Sequence, residues 1–424
     1  MRACKTTMKR VSHPFHKGFS EFEFPKARMG LQPFQCHDQQ NKIYIGLKDP
    51  LKLSDTIVLL PQDLYYLIQF FDGSHSLSDI ASLYRRQFGT FLPVDRLTKM
   101  IKKMDDGLLL DNKRSEKRLD HIKSTFRKQA FRPPICSGSC YASDEATLIQ
   151  ELEQYRRCAA TPESLVEKFT GTPIKAMITP HIDPRLGGAA YAAAYNILHV
   201  AQPVDLFVIL GISHQQIHYP FAVTDKDFQT PLGVVKTDDT FINKIRDTCS
   251  FDIARDEIVH RDEHSVEFQT IFLKYYHKAP FKICPVLCSF SHDMTTAEKN
   301  QFTEFVASIR ASLETYAGCV SIIASVDFSH IGKHYGHDFV PDSYLLAKVE
   351  NADKSVLDAI AQQNIAAFEQ YFIRSNNKYN ICGYPALRTL LELLPPSQAT
   401  VLQYDNAIMD ENRSTVTFAS MIFS

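Results

Sequence analysis

The chain has 424 residues, 44% apolar and 22% charged, which is ordinary globular usage and leaves room for two or three domains. No apolar run approaches the ~18 residues of a membrane helix, and the N terminus carries Lys and Arg without an apolar signal core, so cytoplasmic residence is expected and a membrane partner is not. The net charge of −1 conceals an asymmetry: residues 1–134 hold 24 Lys+Arg against 14 Asp+Glu, and residues 135–424 hold 23 against 34. Opposite signs in the two parts point to separate domains.

Residues 1–40 scatter Pro, Gly, Phe and His without a period and read as a loosely ordered arm. From Lys42 to Pro50 the pattern is a strand and turn. Pro61 opens a helix that should end at Asp72-Gly73. Ser76 and Asp79 have capping-box spacing and begin a second helix with Ile80, Leu83 and Tyr84 on one face. Val94 to Met104 repeats at helical spacing, and Gly107 to Asn112 reads as a strand. These elements predict a small winged-helix-like α+β domain over residues 41–112. Residues 113–134 are rich in Lys and Arg. Aromatic residues are not interleaved as a base-stacking surface needs, so the segment reads as a solvated basic linker or helix and nucleic acid is not an expected partner.

Beyond residue 135 apolar strands alternate with helical segments. Strands are expected at 174–180, 204–212, 281–288, 320–326 and 414–423. Helices are expected at 144–158, 188–199, 239–249, 264–276, 296–315, 353–373 and 384–394. The alternation predicts an α/β domain over 135–424, with a mainly parallel sheet flanked by helices. Most of the ten cysteines read as reduced core residues, since no paired C-x-x-C spacing occurs.

Ligands of such sheets bind beyond the carboxyl ends of the strands, so polar residues recurring there are the candidates for a site. His181 follows the first strand, within Pro180-His181-Ile182-Asp183-Pro184-Arg185. His214 follows the second. His330 follows the fourth, with Asp327 placed to orient its imidazole. Cys382 opens a leucine-rich helix, where a thiolate is favoured. His264 and Glu267, three apart at a helix start, suit substrate or supporting roles, as do Asp183 and Arg185. Two imidazoles and a thiolate suit a transition metal, and His181, His214 and Cys382 are the expected ligands. His330 is the proton-handling candidate. A metal-free hydrolase using Cys382 and His330 is an alternative reading.

These motifs resemble the Memo family, of the AmmeMemoRadiSam system protein B type. Gly138-Ser-Cys-Tyr141, Pro180-His181, Gly211-x-Ser-His214, Thr230-Pro-Leu-Gly233, Glu263-His264-Ser-Val-Glu267, Ser325-Val-Asp327-Phe-Ser-His330 and Cys382-Gly383 follow in the family's order over about residues 135–424. The resemblance implies a class III extradiol dioxygenase-like fold. It implies metal at His181, His214 and Cys382, and acid/base work at Asp327 and His330. The metal expected is iron, with copper or zinc as alternatives, in an oxidoreductase or dioxygenase-like enzyme. A thiolate where the dioxygenases use a carboxylate makes ordinary ring cleavage doubtful. The departure at Ile182-Asp183-Pro184 would reshape the pocket. The resemblance also implies a radical SAM protein and a small third component as partners. Residues 64–73 resemble PqqD-type modules that hold peptide substrates. The competing reading is a non-catalytic metal- or peptide-binding partner that recruits a modifying enzyme.

Overall fold

The computed structural model describes residues 22–424 other than Ala160. It divides into two compact units, residues 1–124 and 125–424. The first half of the expected arm, residues 1–21, lies outside the described residues.

In the first unit, β1 (Gln32–His37), β2 (Ile43–Lys48) and β3 (Val58–Pro61) form an antiparallel sheet. β1 falls in the stretch read as an arm. Almost every side chain of β1 is exposed, so no apolar alternation marks it. The helix after Pro61 begins as α1 (Gln62–Tyr65) and tightens into a 3₁₀ turn, Tyr66–Phe70. α2 (Leu77–Phe88) starts from the expected capping box, with Ser76 Oγ accepting from Asp79 N and the Asp79 carboxylate accepting from Ser76 N. α3 (Val94–Asp106) buries Leu97, Met100, Ile101 and Met104 against Leu47, Val58 and Leu60. The strand expected over residues 107–112 reduces to one bridge, Leu110 to Ala27. The sheet therefore precedes the helices in this unit. The basic stretch read as a linker holds α4 (Lys113–Lys128).

The second unit runs β4 (Phe131–Arg132), α5 (Glu145–Cys158), α6 (Glu163–Phe169), β5 (Ala176–Thr179), α7 (Pro184–Val200), β6 (Leu206–Ile212), β7 (Phe221–Val223), β8 (Asp227–Thr230), β9 (Gly233–Thr237), α8 (Asp239–Thr248), α9 (Ser265–Tyr276), β10 (Lys282–Cys288), α10 (Thr296–Glu314), β11 (Val320–Ser325), β12 (His330–Ile331), α11 (Ser343–Ala361), α12 (Ile365–Ser375), α13 (Tyr384–Leu393), β13 (Ala399–Ile408) and β14 (Thr415–Phe423). The five expected strands are β5, β6, β10, β11 and β14. The helix expected over 353–373 is two helices. Gln363 takes a left-handed φ of 51°, and Asn364 caps α12 by accepting from Ala367 N at 3.0 Å.

β5, β11, β6, β10 and β9 lie side by side in that order, and all are parallel. β14 closes one side antiparallel to β5. β5, β6 and β11 are almost wholly buried, as expected of a parallel sheet covered on both faces. Parallel alignment puts the carboxyl ends of β5, β6, β10 and β11 on one edge. β5 and β6, consecutive in sequence, are separated by β11. Among the described residues no helix is long and apolar enough to cross a membrane.

Candidate metal centre

His181 follows β5 after Pro180 and is buried. Its main-chain N–H and that of Ile182 donate to Asp327 Oδ1 at 3.0 and 3.2 Å. Asp327 comes from the end of β11, so the strand inserted between β5 and β6 fixes the loop that carries His181. The His181 Nδ1 lies 2.9 Å from Ser325 O, an acceptor only, so Nδ1 holds the proton and Nε2 faces the site.

His214 follows β6. Its main-chain N–H and Nδ1 both donate to the buried carboxylate of Glu263, each at 3.0 Å to Oε2. Glu263 also accepts from the main-chain N–H of His264 and of Ser265, at 2.8 and 2.9 Å. One carboxylate thus places two histidines. Gly211 permits this closeness. A Cβ there would lie 2.6 Å from Ser265 Oγ, so only glycine lets the head of α9 pack onto β6. Ser265 Oγ then bonds Ile212 N and O.

His181, His214 and His264 each offer one ring nitrogen, and these atoms lie within 4.8 Å of one another. The His214 and His264 rings stack at 5.0 Å, and His181 stands edge-on to both. Cys382 enters from the loop before α13. Its Sγ lies 3.4 Å from His181 Nε2 and 3.6 Å from Asp327 O, and His214 is within hydrogen-bonding reach. Gly383 allows this approach, because a Cβ there would sit 2.9 Å from Asp327 O.

The electrostatics follow from this crowding. Burial pushes the Cys382 thiol up, but His181 and His330 outweigh it and bring it down to about 5. Burial lowers His181, yet Asp327 and the Cys382 thiolate raise it to about 9. His214 is held well above the usual imidazole range, burial being overcome by Glu263. His264 goes the other way, to about 4, through burial and its two cationic neighbours. The metal-free site is therefore a thiolate among imidazolium groups. A cation that takes the thiolate and the free ring nitrogens would displace those protons. The ring nitrogens of His181 and His214 turned away from the centre are held by a carbonyl and a carboxylate, the support usual for metal-bound histidine. The donor set fits a transition metal.

A family model described as Memo-like protein matches residues 132–422. The chain belongs to the Memo family. A MEMO1 family protein of Aquifex aeolicus is 28% identical over 404 residues, covering 94% of this chain and 99% of the relative. That span reaches through both units. Relatives from Methanosarcina mazei and Methanopyrus kandleri are 29% and 26% identical, and each covers 69% of this chain and 98% of its own length.

Set against this Memo geometry, several expectations need correction. Asp327 does not orient His330. It serves His181, with Oδ2 3.6 Å from His181 Nε2, while His330 Nδ1 is held by Phe328 O at 3.0 Å. His264 stands among the clustered imidazoles rather than beside Glu267. Glu267 turns away to a fully buried pair with Arg132, and also accepts from Tyr141 OH and the amides of Ile135 and Cys136. Asp183 caps α7 and pairs with the exposed Arg185. Two supporting residues escaped the sequence reading. Glu263 resembled an ordinary helix-start acid. Gln269, inside α9, bonds Pro180 O, Ser325 Oγ, Thr179 Oγ1 and Tyr195 OH. The Glu263-His264-Ser-Val-Glu267 motif named Glu263 without giving it a role, and nothing local marks Gln269.

Proposed function

We propose that this protein is a metal-dependent oxidoreductase of the non-haem iron type, with His181, His214 and Cys382 as ligands and copper or zinc as the alternative metals. The observation that supports it most is the shared aim of His181 and His214. Each commits Nδ1 to a buried acceptor and leaves Nε2 toward a point flanked by a thiol that favours its thiolate form. A bound metal would supply Lewis acidity or dioxygen chemistry. The chain's own groups do the rest. His330, with Nδ1 committed to Phe328 O, keeps Nε2 to accept a proton. His264, held neutral, can hydrogen-bond substrate without repelling a cation. A cavity of about 460 Å³ opens on His214 and Cys382 and is walled by Phe290, Phe372 and Tyr384, giving room for a small substrate. In this reading the protein works beside a radical SAM protein and a small third component.

Metal content by mass spectrometry tests the ligand set. His181→Ala and Cys382→Ala should lose the metal, and His264→Ala should keep it. Unchanged stoichiometry in the first two variants would sink the assignment.

A second reading draws on the first unit. A groove of about 1190 Å³ there is lined by Tyr65, Tyr66, Phe88, Lys42 and Arg96 among others. It suits a peptide, and the protein would then recruit a modifying enzyme rather than act itself. Peptide capture by the full chain that survives Tyr66→Ala with Phe88→Ala would argue against that groove.

A further inference from the structure

Asp353 is a fully buried carboxylate on α11 that the metal-centre reading does not use. Among the described residues it has no ion-pair partner. Three hydroxyl groups satisfy it instead: Ser329 Oγ donates to Oδ1 at 2.6 Å, and Thr417 Oγ1 and Tyr404 OH donate to Oδ2 at 2.6 and 2.8 Å. A buried carboxylate costs several kcal/mol to desolvate, so one held only by neutral donors is an expensive way to join two strands and a helix. Its position suggests what the arrangement serves.

Ser329 lies between Phe328, whose carbonyl accepts from His330 Nδ1, and His330 itself. Every polar atom of Ser329 is engaged. Its N–H donates to Thr417 Oγ1 at 2.8 Å, its carbonyl accepts from Thr417 N at 2.9 Å, and its hydroxyl goes to Asp353. Phe328 N donates to Thr417 O at 2.8 Å, and His330 N to Tyr379 O at 2.7 Å. Asp353 also holds the Thr417 hydroxyl in the rotamer that accepts from Ser329. The carboxylate is thus the hub that fixes the direction of the Phe328 carbonyl, and with it the proton of His330.

We propose that Asp353 is a positioning residue that sets the tautomer of His330, through Ser329 and Thr417, so that Nδ1 carries the proton and Nε2 is left free. This rests on reading His330 as the proton-handling group. It also deepens that reading, because a free imidazole in water prefers the opposite tautomer, with the proton on Nε2.

Histidine ring ¹⁵N NMR of the full-length protein, with the His330 signal assigned from His330→Gln, tests positioning without any turnover. Wild type should show His330 protonated at Nδ1. Ser329→Ala and Asp353→Asn should lose that signature and give an Nε2–H or mixed pattern. Tyr404→Phe, which removes the β13 donor and leaves the Ser329 and Thr417 hydroxyls on Asp353, should keep it. Far-UV circular dichroism and metal content identify any variant that fails to fold, and Ser329→Ala, the mildest change, keeps the test decisive. Retention of the Nδ1–H signal in folded Ser329→Ala and Asp353→Asn would overturn the proposal and leave Asp353 a core staple. A changed signal without any effect of His330→Gln on turnover would instead refute the proton-handling role and leave the positioning intact.

Discussion

Replacing Glu267 with alanine should cost about 4 kcal/mol of stability. Arg132 and Glu267 are 0% and 1% exposed, so removing the carboxylate leaves a guanidinium in the interior without its counter-charge. Breaking a buried pair from one side costs about 3–5 kcal/mol. Tyr141 OH, at 2.5 Å, and the amides of Ile135 and Cys136, at 3.1 and 2.9 Å, lose their acceptor in the same step. Arg132 keeps the carbonyls of Pro133, His260 and Glu263, at 3.0, 2.9 and 2.5 Å, and these hold the loss to the middle of the range. Glu267→Gln retains one acceptor oxygen and should cost roughly half as much, about 2 kcal/mol. Arg132→Met with Glu267→Leu strands no charge but still leaves Tyr141 OH and the amides of Ile135 and Cys136 without their acceptor, so it should recover only part of the Glu267→Ala loss. Urea unfolding followed by far-UV circular dichroism measures all three, since the chain has no tryptophan to report by fluorescence. Two compact units call for a fit with two transitions, and only that of residues 125–424 should move. A loss under about 1 kcal/mol in Glu267→Ala would refute the reasoning that the buried carboxylate is needed to offset Arg132.

Other perturbations probe the centre and its surroundings. Glu263→Gln should weaken metal affinity about 10- to 100-fold in a chelator competition, because it removes the carboxylate that orients His214; equal affinity would show that His214 orients without it. Gly383→Ala should cost about 1–3 kcal/mol and lower metal content, since its Cβ would press on Asp327 O and push Cys382 outward; normal metal content would count against Cys382 as a ligand. Burial lowers His260 and His277 to about 4. With unfolded values near 6.5, the stability they confer is complete above that pH and is lost as pH falls toward and through 4, by at most roughly 3 kcal/mol each. Urea midpoints should therefore fall between pH 6.5 and 4, and less steeply in His260→Gln; a flat profile in wild type would contradict the burial of neutral imidazoles.

Periodicity made the sheet of the second unit legible because its strands are buried on both faces and read as unbroken apolar runs. The same rule fails for β1, whose side chains are nearly all exposed, and for β13, where partial burial blurs the alternation. The break between α11 and α12 depends on a single left-handed residue, Gln363, within an otherwise continuous apolar pattern. His181, His214, His330 and Cys382 were visible because strand ends and helix starts can be read locally. Their partners were not. Strand order is invisible to a local reading, and the insertion of β11 between β5 and β6 is what sends Asp327 to His181 instead of His330. Glu263 acts through its backbone neighbours and through a histidine 49 residues away, so no spacing rule reaches it.

The centre offers four donors where three protein ligands suffice, and charge favours the proposed set of His181, His214 and Cys382. Three neutral imidazoles would bring no negative charge into contact with a divalent metal, and would strand the Cys382 thiolate. Two imidazoles and the thiolate would bring one negative charge into contact with the metal, with the Glu263 carboxylate behind His214 and Asp327 Oδ2 3.6 Å from His181 Nε2. That choice also accounts for His264. Its burial and its cationic neighbours already disfavour charge on its ring, so it can stay neutral beside a bound metal and hydrogen-bond whatever occupies the open position. The exposure of His214 and His264, at 42% and 34% of their side chains, puts that open position on the solvent side. His181, buried beneath them, closes the inner side. A ligand set of His181, His214 and Cys382 would put two of its members, His214 and Cys382, on the wall of the cavity, which His264 does not line.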